Sequence, residues 1–348
     1  MQHNTDQRDP DSIVAQGRMM SPEEIAVQNK DQAEFILYPA LGSLYAERAA
    51  RLRHLAQGHP MQDYLLFVAN LADAQHAAAQ SVSGLSLPTT ADIHQAIEAN
   101  RPLLHVGHHG RDVQWLTVLR SLLTPLKHLH SGQPVARVIE QLLAKSDEDI
   151  NRLADRLLNG YLHGLDLAQA QLVAAGLQVY FSRLVVDTHA AHAGKRPEPF
   201  GRLPGQTATC PCCGSRPVAS ITRIGAEQSG FRYVSCSLCA TQWHVVRVKC
   251  VACDNTKDIT YQSLQAADAD DSGAPFKPGA VQAECCDQCG HYLKIVHMEK
   301  DQFVEPHADD LASLALDLLV AEQGNVRFGN NLMLLFGPPP DNADPGVH

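Results

Sequence analysis

The sequence predicts an α+β protein: an N-terminal all-α helical domain, then two tandem cysteine-rich β modules and a C-terminal helix. Three observations carry this reading. Apolar residues recur at three- and four-residue steps through much of residues 21–190. All ten cysteines lie between Cys210 and Cys289, among short β-type runs. Helical spacing resumes only after Pro306.

A chain of 348 residues exceeds what one small core needs. Its hydrophobic fraction of 45% and charged fraction of 19% are ordinary for a soluble globular protein. The formal charge of −10 and a pI near 5.9 argue against affinity for phosphate backbones. From Gln206 to Lys300 there are nine Lys/Arg and nine Asp/Glu, so the cysteine-rich region offers no basic surface. Metal-bound thiolates would make it more negative, and no nucleic-acid partner is expected. There is no apolar run of about 18 residues, so no membrane span is expected. Residues 1–20 are polar, carry Asp6, Asp9 and Asp11, and lack the basic start and apolar stretch of a signal peptide. They read as a disordered leader on a cytoplasmic protein. In that reducing compartment clustered cysteines point to metal ligands or redox thiols rather than disulfides.

The helical domain, residues 21–190, begins with Ser21-Pro22-Glu23-Glu24, which offers an N-cap, a first-turn proline and acids at the positive dipole end. Leu37, Leu41, Leu44, Arg48, Leu52 and Leu55 then share a face until Gly58 and Pro60. Tyr64, Val68, Leu71 and Gln75 mark the next helix, and Thr90-Ala91-Asp92 starts another through Ile97. Val113–Leu123, Val135–Lys145, Asp147–Leu158 and Leu165–Leu184 follow, about seven helices in a bundle. Residues 191–207, with Pro197, Pro199 and Pro204, read as a linker.

Two modules are expected next, at 208–249 and 250–300. Each runs knuckle, hairpin, knuckle, strand. In the first, Cys210/Cys213 precede Val218–Arg223, and Phe231–Val234 leads into Cys236/Cys239 and then Gln242–Val248. In the second, Cys250/Cys253 precede Ile259–Gln262, and Ala280–Ala283 leads into Cys286/Cys289 and then Tyr292–Val296. This is the order of a zinc ribbon or a rubredoxin. A C-x-x-C pair turns tightly enough to aim both sulfurs at one ion, and four thiolates complete a tetrahedral shell at about 2.3 Å from zinc. Gly214 and Gly290 follow the second cysteine of two pairs, where a residue free to take positive φ suits the turn.

The simplest pairing puts Cys210, Cys213, Cys236 and Cys239 on one ion and Cys250, Cys253, Cys286 and Cys289 on another. An interleaved pairing stays open, although it would split each hairpin from its own knuckles. Spacing does not separate zinc from iron, since both accept four thiolates. One reading is a structural ion replacing a hydrophobic core; another is iron with a redox or sensing role. Thiol–disulfide chemistry fits four pairs in ribbon order poorly. Cys212 and Cys285 read as buried thiols, although Cys285 could replace Cys286 in a C-x-x-x-C.

His105, His108, His109, His128 and His130 read as surface or core residues rather than ligands. Residues 301–348 hold the C-terminal helix and tail. Asp309-Asp310 sit at its start as dipole caps, Leu311, Leu314, Leu318 and Ala321 share its face, and Gly324 ends it. Leu332–Phe336 packs on the fold, and Pro338-Pro339-Pro340 begins a loose end. No phosphate loop, nucleophile elbow or acid/base pair is present, so the chain reads as a non-enzyme.

Several strings carry a resemblance. They are Cys210-Pro211-Cys212-Cys213-Gly214-Ser215-Arg216-Pro217, Cys236-Ser237-Leu238-Cys239-Ala240-Thr241-Gln242-Trp243-His244, Cys286-Asp287-Gln288-Cys289 with Tyr292-Leu293-Lys294, and Asp309-Asp310-Leu311-Ala312-Ser313-Leu314-Ala315-Leu316-Asp317. Together they resemble the FdhE family of formate dehydrogenase accessory proteins, over about Ser21 to Phe336. The resemblance implies a helical domain joined to two rubredoxin-like modules holding two metal ions, Fe or Zn. It implies a cytoplasmic maturation chaperone that binds the catalytic subunit of respiratory formate dehydrogenases before or during export. The alternative is a rubredoxin-like electron-transfer protein with iron in tetrathiolate sites. On the family reading Trp243, His244, Arg247, Tyr292 and Lys294 form a partner surface or the packing interface of the ribbons.

Overall fold

The computed structural model describes residues 33–225, 230–264 and 279–335. The expected leader, the helix start at Ser21-Pro22 and the tail from Phe336 lie outside the described residues.

Among the described residues seven helices form the N-terminal part: α1 (Leu44–Leu55), α2 (Gln62–Ser81), α3 (Thr90–Glu98), α4 (Gln114–Leu129), α5 (Pro134–Leu143), α6 (Asp147–Leu158) and α7 (Leu167–Ala191). Local chemistry sets several starts. Thr89 and Asp92 form a reciprocal capping box at α3. Ser146 accepts from the Asp149 amide at α6, and Asp166 accepts from those of Ala168 and Gln169 at α7. Helix α7 is apolar on nearly every side, as a central helix must be. It packs against α2, α4, α5 and α6. A Cβ at Gly176 would stand 2.8 Å from Leu119 Cδ1, so the missing side chain lets α4 approach closely.

Two expectations shift. Leu37 belongs to a short strand, β1 (Ile36–Leu37), rather than to the first helix. Helix α4 continues past Pro125 to Leu129 because Leu126 is buried in the core beyond it. Tertiary packing there outweighs the one backbone bond that proline removes.

The β region comprises β2 (Pro217–Thr222), β3 (Arg232–Cys236), β4 (Gln242–His244), β5 (Ile259–Gln262), β6 (Val281–Cys286), β7 (His291–His297) and β8 (Val326–Arg327). The third strand of the first module is shorter than its apolar run and ends at His244. Both hairpins are antiparallel, as expected. The two ribbons then join edge to edge: β2 pairs with β7 in parallel, Ser220 opposite Ile295 and Thr222 opposite His297. One sheet results, in the order β1-β4-β3-β2-β7-β6-β5, with β8 also on β7. The N-terminal strand β1 covers the outer edge of β4, which blunts an exposed edge that could pair with another chain.

The C-terminal helix is broken in two, α8 (Pro306–Ala312) and α9 (Leu314–Glu322). Ser313 sits at the break with φ −106° and ψ 33°. The buried Lys294 ammonium reaches into it, donating to the Asp310 carbonyl at 2.6 Å and Ser313 Oγ at 3.0 Å. A cation at a helix C-terminus satisfies carbonyls that have lost their helical partners. The break changes the helical phase, so the expected common face is wrong: Leu316, Asp317 and Val320 are buried, while Leu318 is 59% exposed. Of Asp309-Asp310 only Asp309 acts at the start: its carboxylate accepts from the Glu305 amide at 2.7 Å, while the Glu305 side chain caps the helix by accepting from the Ala308 amide at 2.7 Å. Asp309 also pairs with Arg51, and Asp310 pairs with Arg327 and Lys294. Leu332 and Met333 are buried, so the described part of the last apolar run packs on the fold. No helix of the described residues is long and apolar enough to cross a membrane.

Candidate metal centres

Each knuckle is built by the same backbone device. The residue after the second cysteine is left-handed at all four: Gly214 (φ 75°), Ala240 (φ 57°), Asp254 (φ 64°) and Gly290 (φ 69°). The turn returns an amide to the first cysteine's carbonyl, from Gly214 to Cys210 at 2.8 Å, Asp254 to Cys250 at 3.0 Å and Gly290 to Cys286 at 2.8 Å. In the Cys236 knuckle the amides of Leu238 and Cys239 both point at Cys236 Sγ, at 3.4 Å. Those of Ala252 and Cys253 serve Cys250, and those of Gln288 and Cys289 serve Cys286. Such donors stabilise thiolate charge.

The hairpins bring the knuckles together in pairs. Cys210, Cys213, Cys236 and Cys239 form one group of four sulfurs, and Cys250, Cys253, Cys286 and Cys289 form the other, each group within 4.8 Å. The interleaved arrangement is therefore not the one adopted. Sulfur separations are 3.5 Å for Cys210–Cys239, 3.4 Å for Cys213–Cys236, 3.7 Å for Cys250–Cys289 and 3.8 Å for Cys253–Cys286. A tetrahedron with bonds of about 2.3 Å has edges of about 3.8 Å, so both groups suit a thiolate-bound ion. They are far too long for disulfides, whose bond is about 2.05 Å. Burial pushes the thiols of Cys210 and Cys239 well up. Four buried sulfurs within 4.8 Å of one another ionise together only with a cation among them. The donor set fits Zn or Fe equally.

The surroundings of the groups differ. The first shares the core of the helical part, and all four of its cysteines are 0% exposed. The amides of Leu104 and Val106 donate to the carbonyls of Cys212 and Cys213, at 3.0 and 3.1 Å. His105 packs on Gly214, and Gln178 of α7 donates to the Ser237 carbonyl at 2.9 Å. Thr241 Oγ1 lies 3.2 Å from Cys239 Sγ. In the second group Cys253 is exposed and Cys289 half-buried. Its knuckle is held by Val251, which is buried in the main core, and by polar contacts from Thr207 and Lys249, which both hold Asp254, at 2.7 and 2.8 Å.

Cys286 rather than Cys285 joins the second group. Strand alternation turns Cys285 to the opposite face, into a small core with Tyr292, Leu316 and Val320. Cys212 is buried in the main core. No metal-ligating group forms around His105, His108, His109, His128 or His130 among the described residues.

The five residues considered for a partner surface divide. Trp243, Tyr292 and Lys294 are 2–3% exposed. Trp243 Nε1 donates to the Thr207 carbonyl, Tyr292 to Asp317 Oδ1, and Lys294 to Asp317 Oδ2. These three therefore hold ribbons and helices together and are not a surface in this chain. His244 is half-buried between Phe231 and Tyr233. Arg247 is exposed and pairs with Glu299 at 3.4 Å. Sequence reasoning missed Gln178, Thr207, Lys249 and the 103–106 loop. Their roles arise from long-range packing; Thr241, two residues after a ligand cysteine, alone carried a local signal.

Three sequence models of one family cover most of the chain: "FdhE, N-terminal" matches residues 33–194, "FdhE, central domain" 209–247 and "FdhE, C-terminal domain" 248–334. The chain belongs to the FdhE family. It is 38% identical over 323 residues to the "Protein FdhE homolog" of Cronobacter sakazakii, which spans 92% of this chain and 98% of that protein. It is 37% identical to "Protein FdhE" of Salmonella arizonae over the same shares. The crystal structure of the FdhE protein from Pseudomonas aeruginosa superposes with a TM-score of 0.72 at 33% identity, covering 88% of this chain and 100% of that one. The helical part followed by the two-ribbon sheet is thus similar in architecture to a solved FdhE.

Proposed function

We propose that this FdhE-family chain is a cytoplasmic accessory protein in the assembly of respiratory formate dehydrogenase, binding its catalytic subunit and holding two tetrathiolate metal ions. The observation that carries the reading is the pair of four-sulfur groups in a chain of this family, each with left-handed knuckles and amide donors. Charge balance in the ribbon region favours a protein client over nucleic acid. The role is binding rather than catalysis: the sulfurs of the first group are enclosed and leave no open coordination position of the kind catalytic metal sites keep.

The first test is elemental analysis of chain purified without added metal, with a visible spectrum. Two zinc ions and a colourless sample would exclude redox chemistry at both sites. Two irons with reversible reduction would favour the electron-transfer alternative. The second test is co-purification of a formate dehydrogenase catalytic subunit with the tagged chain. Normal formate oxidation in cells making only Cys210→Ser chain at parental levels would sink the accessory role.

A further inference from the structure

The two sites share a donor set but not an environment. Cys210, Cys213, Cys236 and Cys239 are 0% exposed. A layer of helical-part residues closes over them: Leu104 and Val106 bond to the first knuckle, His105 packs on Gly214, and Gln178 bonds to the second. An incoming ligand meets no open face there. The second group is enclosed on one side only, where Cys250 is 6% and Cys286 2% exposed. Cys253 stands exposed on the other side, beside half-buried Cys289. No helix of the first 191 residues supplies a bond to this knuckle among the hydrogen bonds described above; it is held by Val251 in the main core, by Thr207 and Lys249, and by strand β8, whose Val326 amide donates to the Gly290 carbonyl at 2.8 Å.

We propose that the second site is the exchangeable one, and that soft, thiol-bearing ligands enter it at Cys253. This rests on the metal reading above. An incoming thiolate forms a sulfur bond to the ion, the Cys253 sulfur bond breaks, and the freed thiolate takes a proton from water. No electrons are transferred. Repetition at Cys289, and then at Cys250 and Cys286, frees the ion, while the first site stays loaded and keeps the helices and ribbon together. The exposed knuckle is then the place where metal is accepted from, or given to, a thiol-rich partner.

The test uses the full chain loaded with two zinc ions, verified by elemental analysis, and an excess of the colorimetric chelator pyridylazoresorcinol. One ion per chain is expected to leave at least about tenfold faster than the other, the low end of what second-layer contacts contribute to a metal site. Iodoacetamide added after the fast phase, followed by peptide mass mapping, should label Cys253 and Cys289 and spare Cys210, Cys213, Cys236 and Cys239. Release of both ions in a single phase, or first labelling at Cys210 or Cys239, would overturn the proposal. A chain that takes up no zinc in the initial analysis would instead overturn the metal reading itself, and this inference with it.

Discussion

The guanidinium of Arg232 on β3 lies 2.8 Å from the carboxylate of Glu284 on β6, with side chains 0% and 3% exposed. The pair joins the two ribbons across the sheet. Arg232 also donates to Ser220 Oγ and the Lys249 carbonyl, at 2.9 Å each, and Glu284 accepts from Tyr261 at 2.9 Å. Removing one partner leaves an uncompensated buried charge, so Arg232→Met should cost about 3–5 kcal/mol. The double variant Arg232→Met/Glu284→Met should recover much of that. Urea unfolding measures both, and a single variant as stable as the parent would show that the pair contributes nothing to joining the ribbons.

Glu305 sets an acid limit. Burial alone would push its carboxyl up, but the Arg48 guanidinium 3.0 Å away and His307 hold it down, from 4.5 to about 2. A folded-state value below the unfolded one gives stability that is complete above the unfolded value and lost as pH falls through the folded one. The contribution of about 3 kcal/mol should therefore fade between about pH 4.5 and pH 2. Unfolding free energies over that window should slope less steeply in Glu305→Gln. An unchanged slope would reassign the acid sensitivity to other carboxylates.

The four left-handed knuckle positions are not equivalent. Ala240 adopts φ 57° with a side chain, so Ala240→Gly should raise stability by up to about 1 kcal/mol. A Cβ at Gly290 meets nothing within 4 Å, so Gly290→Ala should lose only the conformational cost of about 1–2 kcal/mol. A Cβ at Gly214 would stand 2.7 Å from His105 Cδ2, and Gly214→Ala should lose more. Thermal melting of the metal-loaded variants checks the order, and equal losses at Gly214 and Gly290 would contradict it.

The two metal groups should also differ in what their loss does to the helices. Cys210 lies in the core shared with α7, whereas Cys250 does not. Cys210→Ser should lower the helical melting temperature by about 10 °C, the scale of several kcal/mol in a chain of this size. Cys250→Ser should lower it less. Far-UV circular dichroism measures both, and the reverse order would refute the shared core.

Read alone, the amino-acid sequence determined the features that depend on neighbours in the chain. Spacing at C-x-x-C paired the eight cysteines, three- and four-residue periodicity outlined helices such as Asp147–Leu158, and β-type runs outlined strands such as Ile259–Gln262. Tertiary structure decided what joins distant segments. It fused two ribbons through β2 and β7, folded β1 onto β4, and carried α4 past Pro125. It also broke the last helix around Lys294, and turned Trp243 and Tyr292 inward. The physical reason is that burial and ion pairing depend on which surfaces meet. That same dependence enclosed one tetrathiolate group beneath the helices and left Cys253 of its near-copy in solvent.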